Sequence, residues 1–151
     1  SNIIFNGKLR WWLGKNLKVL DLGCAGGGFV KSIIDGGGLA VGIEGSDYSK
    51  IHSRAEWATI PEFLFTADIT EPFRIVEIGE SGAETQMKFN VVTLWEVLEH
   101  LPENKLSVAF ENIRRHLIHS GVIIASVSTK EEIINGIKLH QSVIDKVWWS
   151  K

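Results

Sequence analysis

The stretch WEVLEHLPE, residues 95–103, sets Glu96, Glu99 and His100 at spacings of three and four. On one helical turn that spacing brings the three side chains to a common face. Two carboxylates and an imidazole suit a divalent cation such as Mg²⁺ or Mn²⁺, and such an ion can lower the pKa of an attacking hydroxyl. His140, in KLHQSV, is a further ligand of the right type. Without a metal the same residues offer proton transfer: an imidazole titrates near neutral pH, so His100 or His140 is a candidate general base, with Glu96 beside them. Pro102 disfavours helix at Leu101, so the turn is predicted to be short.

A second group lies earlier, in VLDLGCAGGGFVKSIIDGGGLAVGIEGSD, residues 19–47. Asp21 closes an apolar run and precedes a turn rich in glycine, Gly23 to Gly28. Such a turn serves both dinucleotides and other nucleoside cofactors, and Asp21 separates the two. A dinucleotide pyrophosphate sits over the helix N-terminus, where a carboxylate would repel it. S-adenosylmethionine has no phosphate and carries an ammonium and a sulfonium, so an acid at this point suits it. Glu44 follows about 20 residues after the glycines, the position at which an acid accepts hydrogen bonds from ribose hydroxyls. Asp68, in FTAD, is placed to accept from an adenine amino group or to cap its own turn.

The elements that must hold these residues are legible in outline. KVLDL (18–22) reads as a strand, and Phe29, Val30, Ile33 and Ile34 keep helical spacing over 29–35. Gly36 to Gly38 end that helix. Strands are predicted over 39–43 and 63–68, with a short helix through Trp57 between them. RIVEI and TQMKF flank the turn signal GESG and predict a hairpin. FNVVTLW (89–95) is a fourth strand. A helix starting near Pro102 carries Leu106, Ala109, Phe110, Ile113 and Leu117 on one face and is expected to end at Ser120 and Gly121, before a fifth strand over 121–128. Strands alternating with helices predict a doubly wound, mostly parallel α/β sheet with its ligand beyond the carboxyl ends of the strands. Residues 1–151 read as one domain, without repeat or linker.

Composition narrows the function classes. The chain has 151 residues, 44% hydrophobic and 23% charged, with a formal net charge of −2. This balance predicts a folded globular chain and supplies no general field for a polyanion. Arg114, Arg115 and His116 are the one tight basic cluster, expected to be a solvated helix face, so nucleic acid is not the expected partner. Cys24 is the single cysteine, which fits a reducing, cytoplasmic setting. It is expected to be a small residue buried under the glycine turn rather than a nucleophile. No apolar run approaches the length of a membrane span. Oligomeric state is not legible. The doublets Trp11–Trp12 and Trp148–Trp149 are each expected to bury one ring and expose the other.

VLDLGCAGGGF, GIEGS, TADI and FNVVTLWEVLEHLPE together resemble the successive motifs of the class I S-adenosylmethionine-dependent methyltransferases, over about residues 18 to 128. The resemblance implies a Rossmann-like fold and a cofactor loop from Asp21 through Gly23, Cys24, Ala25, Gly26, Gly28 and Phe29. It implies ribose contacts from Glu44 and Gly45, adenine contacts from Asp68 and Ile69, and a methyl-transfer end bordered by Trp95 and Glu96. The acceptor it implies is a small molecule or biosynthetic intermediate. WEVLEHLPE is also similar to the metal-binding motif of the ubiquinone-pathway O-methyltransferases and of small-RNA ribose methyltransferases, which would make the reaction metal-assisted methylation of a catechol or ribose hydroxyl. A non-catalytic cofactor-binding domain is the other reading. Two departures stand out. Ala25 replaces the usual second glycine, and only 23 residues follow residue 128, so the family's last two strands are expected to be missing or truncated.

Overall fold

The computed structural model describes residues 3–14, 16–145 and 149. In chain order the elements are helix α1 (Ile3–Leu13), strand β1 (Lys18–Leu22), helix α2 (Gly28–Asp35), β2 (Leu39–Glu44), α3 (Tyr48–Ile51), β3 (Leu64–Thr66), β4 (Val76–Ile78), β5 (Glu84–Gln86), β6 (Phe89–Trp95), α4 (Leu106–His116), β7 (Leu117–Ser126), β8 (Ile133–Ile134) and β9 (Ile137–Lys138). Short 3-10 turns cover 55–58, 61–63, 98–100 and 103–105. Five strands form one sheet in the order β3-β2-β1-β6-β7, all parallel. The chain builds outward from β1 to β3, then returns to the other side of β1 with β6. The reversal between β1 and β6 leaves a crevice at their carboxyl ends.

The buried strands are apolar on both faces, as a parallel sheet covered by helices requires. Side chains alternate along each strand, so Leu20, Val41 and Val92 join α4 through Leu106 and Ile113. Val19, Ala40 and Val91 face the other way, toward Leu9 of α1 and Val30 and Ile33 of α2. Gly42 of β2 is small for a reason. A Cβ there would lie 2.7 Å from Cys24 Sγ and 2.8 Å from Leu64 Cδ2, so the missing side chain makes room for the cysteine under the turn.

Several expected boundaries move. The helix expected to reach Ser120 stops at His116, and Ser120 and Gly121 lie inside β7. Leu117 already pairs with Phe89, and the register shifts before Val122 takes Val91. Gly121 permits that irregularity, since a Cβ would meet Leu117 Cδ2 at 2.6 Å. His116 is not part of a solvated basic face. It is fully buried, donating from Nδ1 to the Asn112 carbonyl at 2.8 Å and accepting at Nε2 from the Ile75 amide at 3.1 Å. Burial lowers its pKa from the usual value. Arg114 does lie on the solvated face, paired with Glu111.

The segment through Trp57 is broken into α3 and a 3-10 turn, with Ser53 in the left-handed region between them and Ala55 in that region at the start of the turn. The predicted hairpin forms as β4 and β5. A second hairpin, β8 and β9, was not expected: Asn135 and Gly136 both take positive φ at its turn, the pattern of an Asn-Gly type I′ turn. Trp11 and Trp12 are both exposed, at 88% and 60%, because α1 covers the sheet with Leu9 and Phe5 instead. Trp149 packs against the α4-side core; Trp148 lies outside the described residues. Among the described residues no helix is long and apolar enough to cross a membrane.

Gly42→Ala should destabilise the fold by about 1–3 kcal/mol, the usual cost of overpacking. Urea unfolding should register it as a lower midpoint with an unchanged m-value.

Candidate cofactor and acceptor site

Five chain segments converge on a cleft of about 380 Å³ at the carboxyl edge of the sheet. Gly23 and Ala25 come from the turn after β1, and Glu44 and Gly45 from the end of β2. Asp68 and Ile69 follow β3. Trp95, Glu96 and Val97 follow β6, and His100 and Leu101 close the wall. Nine of the residues singled out from the sequence thus share one cleft. The neighbours Val97 and Leu101 were not singled out, although both fall in the quoted WEVLEHLPE stretch.

The glycine turn is held from several directions. Gly23 takes φ +76, and a Cβ would lie 2.4 Å from Val97 Cγ2, so only glycine lets the turn pass under the β6 loop. The Gly23 and Cys24 amides both donate to the Ile43 carbonyl, at 2.8 and 3.0 Å. Glu44 Oε2 accepts from the Ala25 amide at 2.7 Å while Oε1 accepts from the Gly45 amide at 3.0 Å. Trp57 Nε1 donates to the Ala25 carbonyl at 2.8 Å, and the Glu56 amide to the Gly26 carbonyl at 2.9 Å. Trp57 was absent from the sequence-based site. Ala25 itself sits at φ +47, a left-handed position that costs an L-residue about 1 kcal/mol.

Asp21 lies beneath this turn, 1% exposed. Thr93, its register partner on β6, donates to Asp21 Oδ1 at 2.6 Å. Burial raises the carboxyl from 3.8 to about 7, with Thr93 lowering it and the nearby Glu44 charge raising it. The Thr93 role was missed, and its signal was a polar residue in the middle of the otherwise apolar stretch VVTLW. Cys24 is buried as expected, and burial pushes its thiol up, away from thiolate chemistry. Asp68 faces the cleft and also caps its own turn. Its Oδ1 accepts from the Thr70 hydroxyl and amide at 2.7 and 2.8 Å, which holds its carboxyl below the usual range.

Not every expected contact reaches the wall. Asp21 and Cys24 are buried beneath the turn, and Gly26 and Gly28 are not among the residues that line the cleft. Phe29 packs with Phe5 and Trp95, ring centroids 5.3–6.2 Å apart, so it supports Trp95 rather than lining the cleft.

The expected common face of Glu96, Glu99 and His100 does not form. Glu96 sits at φ +53, its amide donating to Ser126 Oγ at 3.1 Å, and the chain then enters a single 3-10 turn instead of a helix. Glu99 consequently points inward. It is fully buried, with Oε1 accepting from the Ser128 amide at 2.7 Å, whereas His100 is exposed on the cleft. Among the described residues no three His, Cys, Asp or Glu side chains gather as a metal-binding group. His140 does meet His100, ring to ring at 4.8 Å.

The site suits a nucleoside cofactor with cationic groups. Three acids, Glu44, Asp68 and Glu96, border the cleft, none of the residues bordering it is Lys or Arg, and the buried Asp21 lies below. A pyrophosphate would meet carboxylates without a counter-charge. Fold and site together define the class: a class I, Rossmann-like S-adenosylmethionine-binding fold. The chain belongs to the methyltransferase domain family, whose sequence model matches residues 4–149.

Among curated relatives it is 27% identical, over 99 residues, to the ubiquinone biosynthesis O-methyltransferase of Bartonella quintana (strain Toulouse), covering 63% of this chain and 35% of that protein. The chain therefore spans little more than a third of the length of such a relative. Among solved structures, the glycopeptide N-methyltransferase MtfA complexed with sinefungin is similar, with TM-score 0.62, 16% identity, and 93% of this chain and 58% of that one covered. The N-methyltransferase NodS from Bradyrhizobium japonicum WM9, in complex with S-adenosyl-L-homocysteine, gives TM-score 0.56 and 20% identity over 82% of this chain and 58% of that one.

Two outcomes follow from this geometry. Ala25→Gly should stabilise the chain by about 0.5–1 kcal/mol by removing the left-handed strain, read in thermal or urea unfolding. Asp21, raised in the folded state, contributes stability that is full below 3.8 and is lost as pH rises to about 7. Asp21→Asn should therefore raise unfolding free energy at neutral pH while weakening a cationic ligand. S-adenosylhomocysteine affinity should climb as pH passes about 7 in the parent chain and stay flat in the variant, by calorimetry.

Proposed function

We propose that this chain binds S-adenosylmethionine in the cleft at the carboxyl edge of the sheet and transfers its methyl group to a nucleophilic oxygen or nitrogen of a small molecule. The observation that carries the reading is the convergence of Asp21, Glu44 and Asp68 from three successive strand ends beside a glycine turn. The cofactor supplies a methyl group on a sulfonium, already activated for displacement. What the protein must add is alignment of the acceptor, which by itself accounts for large rate gains.

Each residue then has a task. Glu44 accepts the ribose hydroxyls; a carboxylate has about four lone-pair sites, enough to keep its bonds to Ala25 and Gly45. Asp68 accepts from the adenine amino group with the oxygen face its turn leaves open. Asp21 sets a negative charge under the turn for the methionine ammonium. Trp95, Val97 and Leu101 give the acceptor an apolar wall. His100, the imidazole on that wall, would take the proton that the acceptor oxygen or nitrogen loses on methylation. Glu96 faces the same end and favours positive charge there. The name of the Bartonella relative supports an oxygen acceptor; the names of MtfA and NodS belong to nitrogen acceptors. A cytoplasmic setting and one domain over 1–151 complete the proposal, supported by the single buried cysteine and by two cores that share one sheet.

Calorimetric titration with S-adenosylhomocysteine tests the reading. Saturable binding is expected, and Glu44→Ala should weaken it about tenfold or more through the lost charged hydrogen bonds. A parent chain that does not bind the ligand would overturn the proposal.

A further inference from the structure

Residues 128–142 run back along the acceptor end of the cleft and are stapled to the turn that carries His100. The Gln141 and Ser142 amides donate to the Glu99 carbonyl at 2.7 and 3.0 Å. Ser142 Oγ donates to the Leu101 carbonyl at 2.5 Å, and the buried Glu99 carboxylate holds the Ser128 amide at 2.7 Å. This strap brings two features against His100. The Leu139 carbonyl lies 3.3 Å from His100 Nδ1, and the His140 ring stands edge-to-face with the His100 ring, centroids 4.8 Å apart at 77°.

A carbonyl oxygen only accepts. His100 Nδ1 must therefore carry the hydrogen, and in the neutral ring Nε2 is left with the lone pair. That is the tautomer a base at this wall requires, because Nε2 is the nitrogen not bound to the strap. His140 cannot exchange a proton with His100, since both its nitrogens are engaged elsewhere. Nδ1 donates to the Lys130 carbonyl at 2.6 Å, and Nε2 lies 3.3 Å from Glu132 Oε2; with an acceptor on each side, both contacts are hydrogen bonds when the ring carries a hydrogen on each nitrogen. At 6% exposure the His140 ring is buried and stands against its neighbour.

We infer that His140, clamped by Glu132 and the Lys130 carbonyl, is a positioning residue that locks His100 in the Nδ1–H tautomer and aims Nε2 into the cleft. The inference rests on the methyltransferase reading for its purpose, and on strap geometry alone for its substance. Groups hydrogen-bonded behind a working imidazole elsewhere act in the same way, by fixing tautomer and ring orientation.

Long-range proton–nitrogen NMR of the histidine side chains in the full chain tests it without any ligand. The parent chain should give the Nδ1–H pattern for His100. In His140→Ala the ratio of Nδ1–H to Nε2–H forms should fall roughly fivefold, as loss of one ordinary hydrogen bond predicts. Glu132→Ala changes a half-exposed side chain, so it provides a folded variant should His140→Ala unfold, and should shift the ratio in the same direction. Glu132→Gln, which retains an acceptor for His140, should restore the parent pattern. An Nε2–H tautomer in the parent, or a ratio unmoved in His140→Ala and Glu132→Ala, overturns the inference. Failure of the parent to bind S-adenosylhomocysteine would strike the methyltransferase reading and leave this tautomer result standing.

Discussion

One carboxylate ties the site together. Glu44, at the end of β2, holds the amide of Ala25 on one oxygen and that of Gly45 on the other. The glycine turn after β1 is thereby fastened to the neighbouring strand, and its path fixes where Gly23 passes under Val97 and where Ala25 meets Trp57. Ordinary turns are held by their own residues. This one is held by a strand end about 20 residues away in sequence, which is why the parallel β1–β2 pairing must form before the cleft has a floor. The acid that shapes the loop is also the acid proposed to receive a ribose, and that reading couples loop shape and ligand affinity through one side chain.

Beneath that tie lies a deliberate instability. Asp21 faces Thr93 across the sheet in a place that desolvates it and raises its carboxyl to about 7. A neutral side chain would fit the sheet better. Ala25 and Glu96, both at positive φ, border the same cleft, and backbone strain of this kind concentrates where function requires a particular geometry. Buried charge below and strained backbone on two sides mark the cleft as the part of the molecule where stability has been traded for an arrangement.

Much of this was legible in sequence because it follows local rules. Strand, glycine turn, helix and second strand are set by apolar runs and by Gly36 to Gly38, and the acids at strand ends are fixed by the strands themselves. Glu44 and Asp68 therefore border the cleft at strand ends, with Asp21 buried beneath the turn. What could not be read depends on long-range packing. The helical face expected of Glu96, Glu99 and His100 failed because Glu96 turns left-handed and binds Ser126 of β7, a contact thirty positions away. Longer separations hid Thr93 opposite Asp21 and Phe29 behind Trp95 rather than on the cleft. The stop of α4 at His116 reflects the demand of β6 for a partner at Phe89, overriding the Ser-Gly signal. The Asn135–Gly136 hairpin was local and readable, but its flanking strands of two residues are too short to show alternation.

The central claim is that ligand enters the crevice between the ends of β1 and β6 and touches the acids that the strand order gathers there. Amide chemical-shift mapping with S-adenosylhomocysteine addresses it most directly. Perturbations confined to Ala25, Gly45, Asp68, Ile69 and the stretch from Trp95 to Leu101 are the result this account predicts. Shifts centred at the opposite end of the sheet, around Arg10 and Gly36 to Gly38, would contradict it.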